Sequence, residues 1–437
     1  MFQYYFLLGV RSLRRNPALT ALMVLTLAIG VAASVSTLTI LHVMSGDPIP
    51  TKSERLFVPQ FDNGPLEGYA PGDEPNDKQM SYPDAANLLR SGQGDRRTAL
   101  YGTMASIEPD RKDMPAFTAN GIAATRDFFF MFDTPFLRGQ PWSEADDKAG
   151  ADVVVLGRAL AEKLFGDADP IGKRLTILSH SFQVVGVANT WRPLPHYYRV
   201  IGGGGAFSNE DELYIPFASA VRHEAGNYGS VSCEARFEGG FDQFIKSECT
   251  WLQFWFETSS ASERAALQTY IDGYSADQRK LGRHKRAAPS KLYNVNEWLD
   301  YLKVVKKDSK LSAWLAFGFL ALCLVNTIGL LLAKFSVRAA EVGIRRALGA
   351  SRKEIFQQFL IETTVVGLAG GILGLLFAYG ALGLISMQSK QMALVAHMDM
   401  AMLAFTFVVS VLSAVLAGLL PTWRACQVTP AMQLKSQ

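Results

Sequence analysis

Residues 334–362 read KFSVRAAEVGIRRALGASRKEIFQQFLIE. The apolar runs on either side, Leu311 to Ala333 and Thr363 to Met387, contain no Asp, Glu, Lys or Arg, and the same holds for Leu19 to Val43 and Ala401 to Leu420. At ~1.5 Å per helical residue, each run is long enough to cross a hydrocarbon core of ~30 Å. The quoted stretch is therefore a loop between the second and third of four membrane spans. A mean hydropathy of +0.11 over 437 residues is too apolar for an ordinary soluble enzyme. With 49% apolar residues and only four cysteines, the chain is neither disordered nor a small disulfide scaffold. Residues 44–310, between the first two spans, are polar and turn-rich without a spanning run, and read as an extramembrane domain.

The loop has a legible local design. Ile344 and Leu348 stand four residues apart with Ala347 beside them, which gives a small apolar helix face. Glu341 and Arg345 have the same spacing and support that helix electrostatically. Gly349 can end it in a left-handed cap, and Ser351 with Glu354 three residues on is a capping box for the next helix, which continues into the third span. The expectation is a short helix at the membrane, oriented by a tight turn and ringed with charge. The plainer alternative is a solvated loop whose positive charge serves only to orient the chain.

Orientation follows from the excess of Lys and Arg on the cytoplasmic side. Arg11, Arg14 and Arg15 precede the first span. Six basic and two acidic residues lie in 334–360, and Arg424 and Lys435 follow the fourth span. These segments sum to +9 in a chain of net charge +3, which leaves −6 elsewhere. Both termini are thus expected in the cytoplasm, with the large domain and the 388–400 loop on the far side. A basic segment before an apolar run also suits a cleaved signal peptide, but the run exceeds the usual ~7–15 residues. Asn16 as cap and Pro17 as first helical residue favour a stable first span. Upstream, Phe2, Phe6, Gly9 and Leu13 share a helical face away from the arginines, as in an interfacial amphipathic helix over 1–16.

The segment EVGIRRALGASRKEIFQQFLIE resembles the cytoplasmic coupling region of MacB/FtsX-like ABC-transporter permeases, which include the MacB and lipoprotein-releasing subfamilies. RSLRRNPALTALMVLTLAIGVAAS at the first span, SYPDAANLLR, FLRGQPW and LAEKLFGDADPIGKRLTI in the extramembrane domain, and PTWRACQVTPAMQLK after the fourth span extend the resemblance over nearly the whole chain. It implies an ATP-driven complex in a bacterial inner membrane, with two permeases (a second copy or a paralogue), two cytoplasmic ABC ATPases, and a periplasmic membrane-fusion protein leading to an outer-membrane channel. By matching positions, it assigns Glu341, Gly343, Ile344, Arg345, Arg346, Leu348, Gly349 and Ala350 to the ATPase contact. Unlike MacB itself, this sequence contains no G-x-x-x-x-G-K-[ST] phosphate loop. The run Gly202 to Gly205 is followed by Ala206, Phe207 and Ser208, with no lysine. The chain is therefore expected to hold no cofactor, with ATP and magnesium on a separate ATPase subunit.

In the extramembrane domain, strand-like runs (Arg55 to Phe61, Ala99 to Ser106, Val153 to Leu156) alternate with helix candidates (Tyr82 to Arg90 after a Ser81 cap, and Arg158 to Phe165). Arg174 to Leu178 and Phe182 to Val187 form a hairpin around Ser179 and His180. This is an α+β pattern. The resemblance adds a chain-discontinuous core lobe and an inserted distal lobe, placed at 140–225. Val295, Trp298, Leu299, Leu302 and Val305 mark one face of a helix expected to run directly into the second span as a continuous rod, with Lys303, Lys306, Lys307 and Lys310 solvated or near lipid headgroups. The basic run Arg279 to Arg286 (RKLGRHKR) would suggest nucleic acid in another compartment. Outside the cytoplasm it reads as a solvated face, or as a contact for a partner protein or anionic lipid. Cys233 and Cys249, on two strand candidates (Val231 to Phe237 and Thr250 to Glu257), are positioned for a structural disulfide in an oxidising compartment.

No H-E-x-x-H, C-x-x-C or G-x-S-x-G occurs, so neither catalytic nor metal-ligating residues are assigned. The span cores lack ionisable residues apart from His42, and the overlapping G-x-x-x-G spacings of Gly367, Gly370, Gly371 and Gly374 suit close helix packing. Taken together, the sequence reads as a polytopic α-helical membrane protein with spans at 17–43, 311–333, 361–387 and 401–420. A coupling loop occupies 334–360 and a cytoplasmic tail 421–437. The leading functional expectation is a non-catalytic permease driving export by mechanotransmission. An FtsX-like signalling permease that activates a periplasmic hydrolase is the alternative, as is a lipoprotein-releasing permease. A membrane-anchored enzyme is the least supported.

Overall fold

The computed structural model describes residues 16–64, 66–67, 69–71, 78–110, 113–201, 205–233, 237–286, 289–305, 307–396 and 400–426. The amphipathic helix expected over 1–16 falls outside these residues except for Asn16, as does the tail from 427 onward. The chain forms two compact units, one of residues 1–45 with 305–437, the other Gly46–Val304. Helix α1 (Pro17–Ser45) begins the first unit, its opening turn set by the Thr20 amide donating to the Asn16 carbonyl.

The second unit is built on a mixed sheet. Its strands are β1 (Leu56–Gln60), β2 (Met80–Ser81), β3 (Arg96–Glu108), β4 (Phe117–Ala124), β5 (Phe136–Gly139), β6 (Val153–Gly157), β7 (Arg174–Ile177), β8 (His180–Ala188), β9 (Leu213–Pro216), β10 (Thr250–Glu257) and β11 (Lys291–Asn294). The main path runs β11-β1-β10-β3-β4-β9-β6-β8-β5, with β2 on β10 and β7 joining β3 to β8. The 140–225 segment, expected as an inserted distal lobe, supplies β6 to β9 and extends this sheet through the parallel β4–β9 pairing. Alternation along β10 sends Phe254 and Phe256 into one core and Trp255 into the other. Helix α2 (Tyr82–Arg90), capped by Ser81, buries Ala85 and Leu88 in the first core, beside Leu267 and Ile271 of α3 (Ala261–Lys280). The second core is aromatic, with Phe128 edge-on to Phe129, Phe132 and Tyr198.

Three expectations fail in this unit. The helix at 295 does not run on into the second span. Helix α4 (Val295–Tyr301) ends where the Lys303 amide donates to Asp300 and the Val304 amide to Leu299, a Schellman closure with Lys303 at φ 53°. The basic run 279–286 is a solvated face only in part: Arg279, Lys280 and Lys285 are exposed, but the other basic residues turn inward. Arg283 reaches Asp84 at 2.8 Å and Glu248 at 2.7 Å, while buried His284 and Arg286 lie beside Asp84 and Asp62. Finally, the described part of 231–237 forms only a Ser232–Thr250 bridge in place of a strand. A disulfide joins Cys233 to Cys249, Cα atoms 4.3 Å apart.

Asp84 organises its surroundings. Burial alone would raise its carboxyl, but the hydrogen bond and charge of His284, with Arg283 and Ser81, outweigh this and hold it well below the ordinary carboxylate range. Asp211 is also buried, and it is held low in the same way by the Arg199 charge with His196 and Tyr198.

Among its described residues, the first unit contains four helices long and apolar enough to cross a membrane: α1, α5 (Lys307–Val337), α7 (Arg352–Ser386) and α8 (Met400–Cys426), with the short α6 (Ala339–Ala347) between α5 and α7. Their outward faces are apolar, with Leu22, Trp314, Leu315, Leu322, Ile372 and Leu412 more than half exposed or nearly so. Such a surface is unfavourable in water and suits hydrocarbon. The glycine spacings on α7 serve packing: a Cβ at Gly370 would lie 3.0 Å from Leu27 Cβ of α1, and one at Gly374 3.1 Å from Val31. Gly30 of α1 meets Cys323 of α5 in the same manner, and Ser34 donates to the Ala316 carbonyl at 2.9 Å.

Candidate coupling site

Only Arg338 separates α5 from α6, and only Leu348 to Ser351 separate α6 from α7. The second turn is built from local sequence. The Gly349 amide donates to Arg346 and the Ala350 amide to Arg345, a Schellman closure that needs a positive φ at Gly349, here 100°. Ser351 then accepts from the Glu354 amide while Glu354 accepts from the Ser351 amide at 2.9 Å, completing the capping box. Burial sets the roll of α6. Val342 and Gly343 face inward, and Val342 joins Phe335, Ile355 and Phe359 in one cluster with Met23 and Leu27 of α1.

The outward side carries Ile344, 60% exposed, and Leu348, 83% exposed, with Ala347 and Gly349 beside them. The eight residues assigned by resemblance therefore separate by direction. Ile344, Leu348 and Gly349 present a surface, Gly343 is buried, and Ala350 packs partly against the inner cluster. Glu341 and Arg345 pair at 2.6 Å, and Arg345 also donates to Gln358 of α7 at 2.9 Å; Arg346 is half-buried.

Sequence reasoning missed the charges beneath this surface. Lys334 Nζ of α5 lies 2.7 Å from Glu362 Oε1 of α7, with both side chains 2–3% exposed. Arg338 Nη1 donates to both Glu362 oxygens, at 3.1 and 2.8 Å, while its Nε reaches Glu341 at 3.4 Å. The signal was available: Lys334 and Arg338 share one helix face at i, i+4, as do Gln358 and Glu362. The span limits at 333 and 361 left Lys334 in the loop and Glu362 at the start of the third span, with no reason to pair them.

Among the described residues, no group of three or more His, Cys, Asp or Glu could hold a metal ion. The architecture defines a polytopic helical membrane protein with one large α+β extramembrane domain. Residues 20–273 match the MacB-like periplasmic core domain and residues 313–430 the FtsX-like permease C-terminal domain, so the chain belongs to the MacB/FtsX-like permease family, whose matched domains are not catalytic. It is 25% identical to the pyoverdine export ATP-binding/permease protein PvdT of Pseudomonas fluorescens, over 85% of this chain and 50% of that protein. It is 26% identical to the macrolide export ATP-binding/permease protein MacB of Chromobacterium violaceum, over 97% of this chain and 59% of the relative. The chain thus spans about half the length of the curated relatives it matches. Among solved structures, the periplasmic region of MacB from Actinobacillus actinomycetemcomitans aligns over 58% of this chain and 95% of its own length, with a TM-score of 0.36 and 14% identity.

Proposed function

We propose that this chain is the permease subunit of an ATP-driven exporter of the inner membrane, with both termini and α6 in the cytoplasm and the Gly46–Val304 domain in the periplasm. On this reading, a cytoplasmic ABC ATPase docks on α6 and hydrolyses ATP, and the permease relays the resulting movement to the external domain. That domain drives export with a membrane-fusion protein and an outer-membrane channel, and the permease works with a second copy or a paralogue. The observation that carries the reading is the outward pair of Ile344, on a helix fixed between two spans, and Leu348 at that helix's C-cap. The inventory of α6 supports it too, since a mere orienting loop has no need of a braced helix with an exposed apolar face. The export roles in the relatives' names make small-molecule efflux the cargo class to test first. Because α4 ends at Tyr301, the relay passes through the two chain crossings near residues 45 and 304 instead of one continuous helix.

The test is purification of the tagged chain in mild detergent from its native membrane, identification of its companions by mass spectrometry, and assay of each fraction for ATP hydrolysis. An ABC ATPase should accompany the chain, and hydrolysis should follow that subunit. ATP hydrolysis by the chain alone, or the absence of any ATPase, would overturn the reading. A periplasmic hydrolase in place of a fusion protein would instead favour the signalling alternative.

A further inference from the structure

We infer that Glu362 and Arg338 are the positioning residues of the coupling elbow: a buried carboxylate and a two-ended guanidinium that bind α5, α6 and α7 into one body. The inference rests on α6 being the ATPase contact and names what makes that contact mechanically effective.

Glu362 is buried within α7 and receives two cations, Lys334 of α5 at 2.7 Å and Arg338 of the α5–α6 junction at 2.8 Å. A carboxylate and an ammonium removed from water at the end of a span are costly unless each finds its counter-charge. Here each does. Arg338 goes further, because its two faces are used differently. Nη1 donates to Glu362 on α7 while Nε reaches Glu341 on α6, and Glu341 accepts in turn from Arg345, which donates to Gln358 back on α7. With Lys334 on Glu362, the chain of contacts runs from α5 through the Arg338 junction and α6 and returns to α7 one turn before Glu362. It surrounds the small cleft under α6 lined by Val342, Ile355 and Phe359. The apolar cluster sets the roll of α6, but one cluster permits rocking. The polar circuit adds fixed points on both flanks of the helix, so a displacement of α6 reaches α5 and α7 in place of being taken up at the Arg338 and Gly349 turns. The guanidinium matters beyond its charge: a lysine at 338 has one nitrogen and cannot address Glu362 and Glu341 from separate positions.

This distinguishes positioning from simple charge balance. Two measurements test it on R338K, E362Q and the double variant. The first is hydrogen–deuterium exchange of the 339–350 amides in the full chain in lipid nanodiscs. The second is ATP hydrolysis by the complex with its co-purified ATPase, alongside the amount of ATPase retained. Each single variant should raise exchange in α6 about tenfold and lower permease-dependent hydrolysis about tenfold with ATPase retention unchanged. The double variant should be no worse than the poorer single, because both act through one circuit. R338K keeps the buried charge, so its thermal midpoint should match the native chain even if E362Q folds poorly. Exchange and hydrolysis at native levels in R338K, or losses that multiply in the double variant, would overturn the inference. If the native chain retains no ATPase, the coupling reading fails, and the exchange measurement still decides whether the circuit holds α6.

Discussion

Replacing both Ile344 and Leu348 by alanine removes the apolar face of α6 without touching the interior of this chain. The side chains are 60% and 83% exposed. Fully burying a Leu or Ile side chain is worth roughly 1.5–3 kcal/mol, so burying the exposed fractions of the two against an ATPase contributes about 2–4 kcal/mol. At about 1.4 kcal/mol per tenfold, the double variant should bind its ATPase roughly 30- to 700-fold more weakly. Leu348→Ala alone should account for the larger share. The assay is biolayer interferometry with the permease immobilised in nanodiscs and the co-purified ATPase in solution. Thermal unfolding in parallel should give an unchanged midpoint, since neither side chain packs in the described core. An affinity within about threefold of the native chain, with the midpoint preserved, would refute the claim that this face is the docking surface.

Asp84→Asn leaves Arg283, His284 and Tyr274 around a neutral amide, and loss of one partner from a buried ionic cluster costs about 3–5 kcal/mol; denaturant unfolding should report that loss, and a change below about 1 kcal/mol would show the cluster to be incidental. The low-lying carboxyls of Asp84 and Asp211 also set an acid limit. Their folded values lie below the ordinary 3.8, so their stabilisation is complete above that value and is lost as pH falls beneath it. The thermal midpoint should be insensitive to these two groups above about pH 5 and should drop below about pH 4, less steeply in Asp84→Asn. Within the membrane unit, Gly374→Val would drive a side chain into Val31 and the Ala28 carbonyl at 3.1 Å. Overpacking of this kind costs about 1–3 kcal/mol, so the detergent-solubilised chain should melt earlier, whereas valine at Gly380, where no atom lies within 4 Å, should be tolerated.

How much of this was legible depends on the range of the determining contacts. The Ser351 and Glu354 box, the Gly349 closure, the Ser81 cap and the hairpin around Ser179 are set by residues within a few positions, and each is readable from the chain. The closure after Tyr301 uses the same backbone bonds as the one after Ala347, yet a lysine stands at its left-handed position, so no glycine announces it. The partners of RKLGRHKR are harder still. Asp84 lies some 200 residues from His284, and only the folded sheet brings them together. Strand order is equally remote from the sequence, because β10 enters between β1 and β3. Lys334 and Glu362 are an intermediate case: their helical spacing was visible, but their pairing requires knowing that α5 and α7 return side by side.

The two faces of α6 make opposite demands that its nine residues satisfy together. A docking surface needs exposed apolar side chains, which by themselves would turn a short helix inward toward the lipid or the bundle. Val342 and Gly343 already supply an inward face, so rolling Ile344 under would expel Val342 from the Phe335 and Phe359 cluster and break the Arg338–Glu341 and Arg345–Gln358 contacts at the same time. The charged residues beside the apolar patch therefore act against a specific misorientation as well as for the native one, which is the form specificity takes when attractive burial alone would favour two poses. It follows that the circuit through Glu362 need contribute little net stability to be indispensable. Replacing all five charges by well-packed apolar residues could leave the unit as stable as before, while leaving only the Val342 cluster to keep Ile344 and Leu348 turned outward.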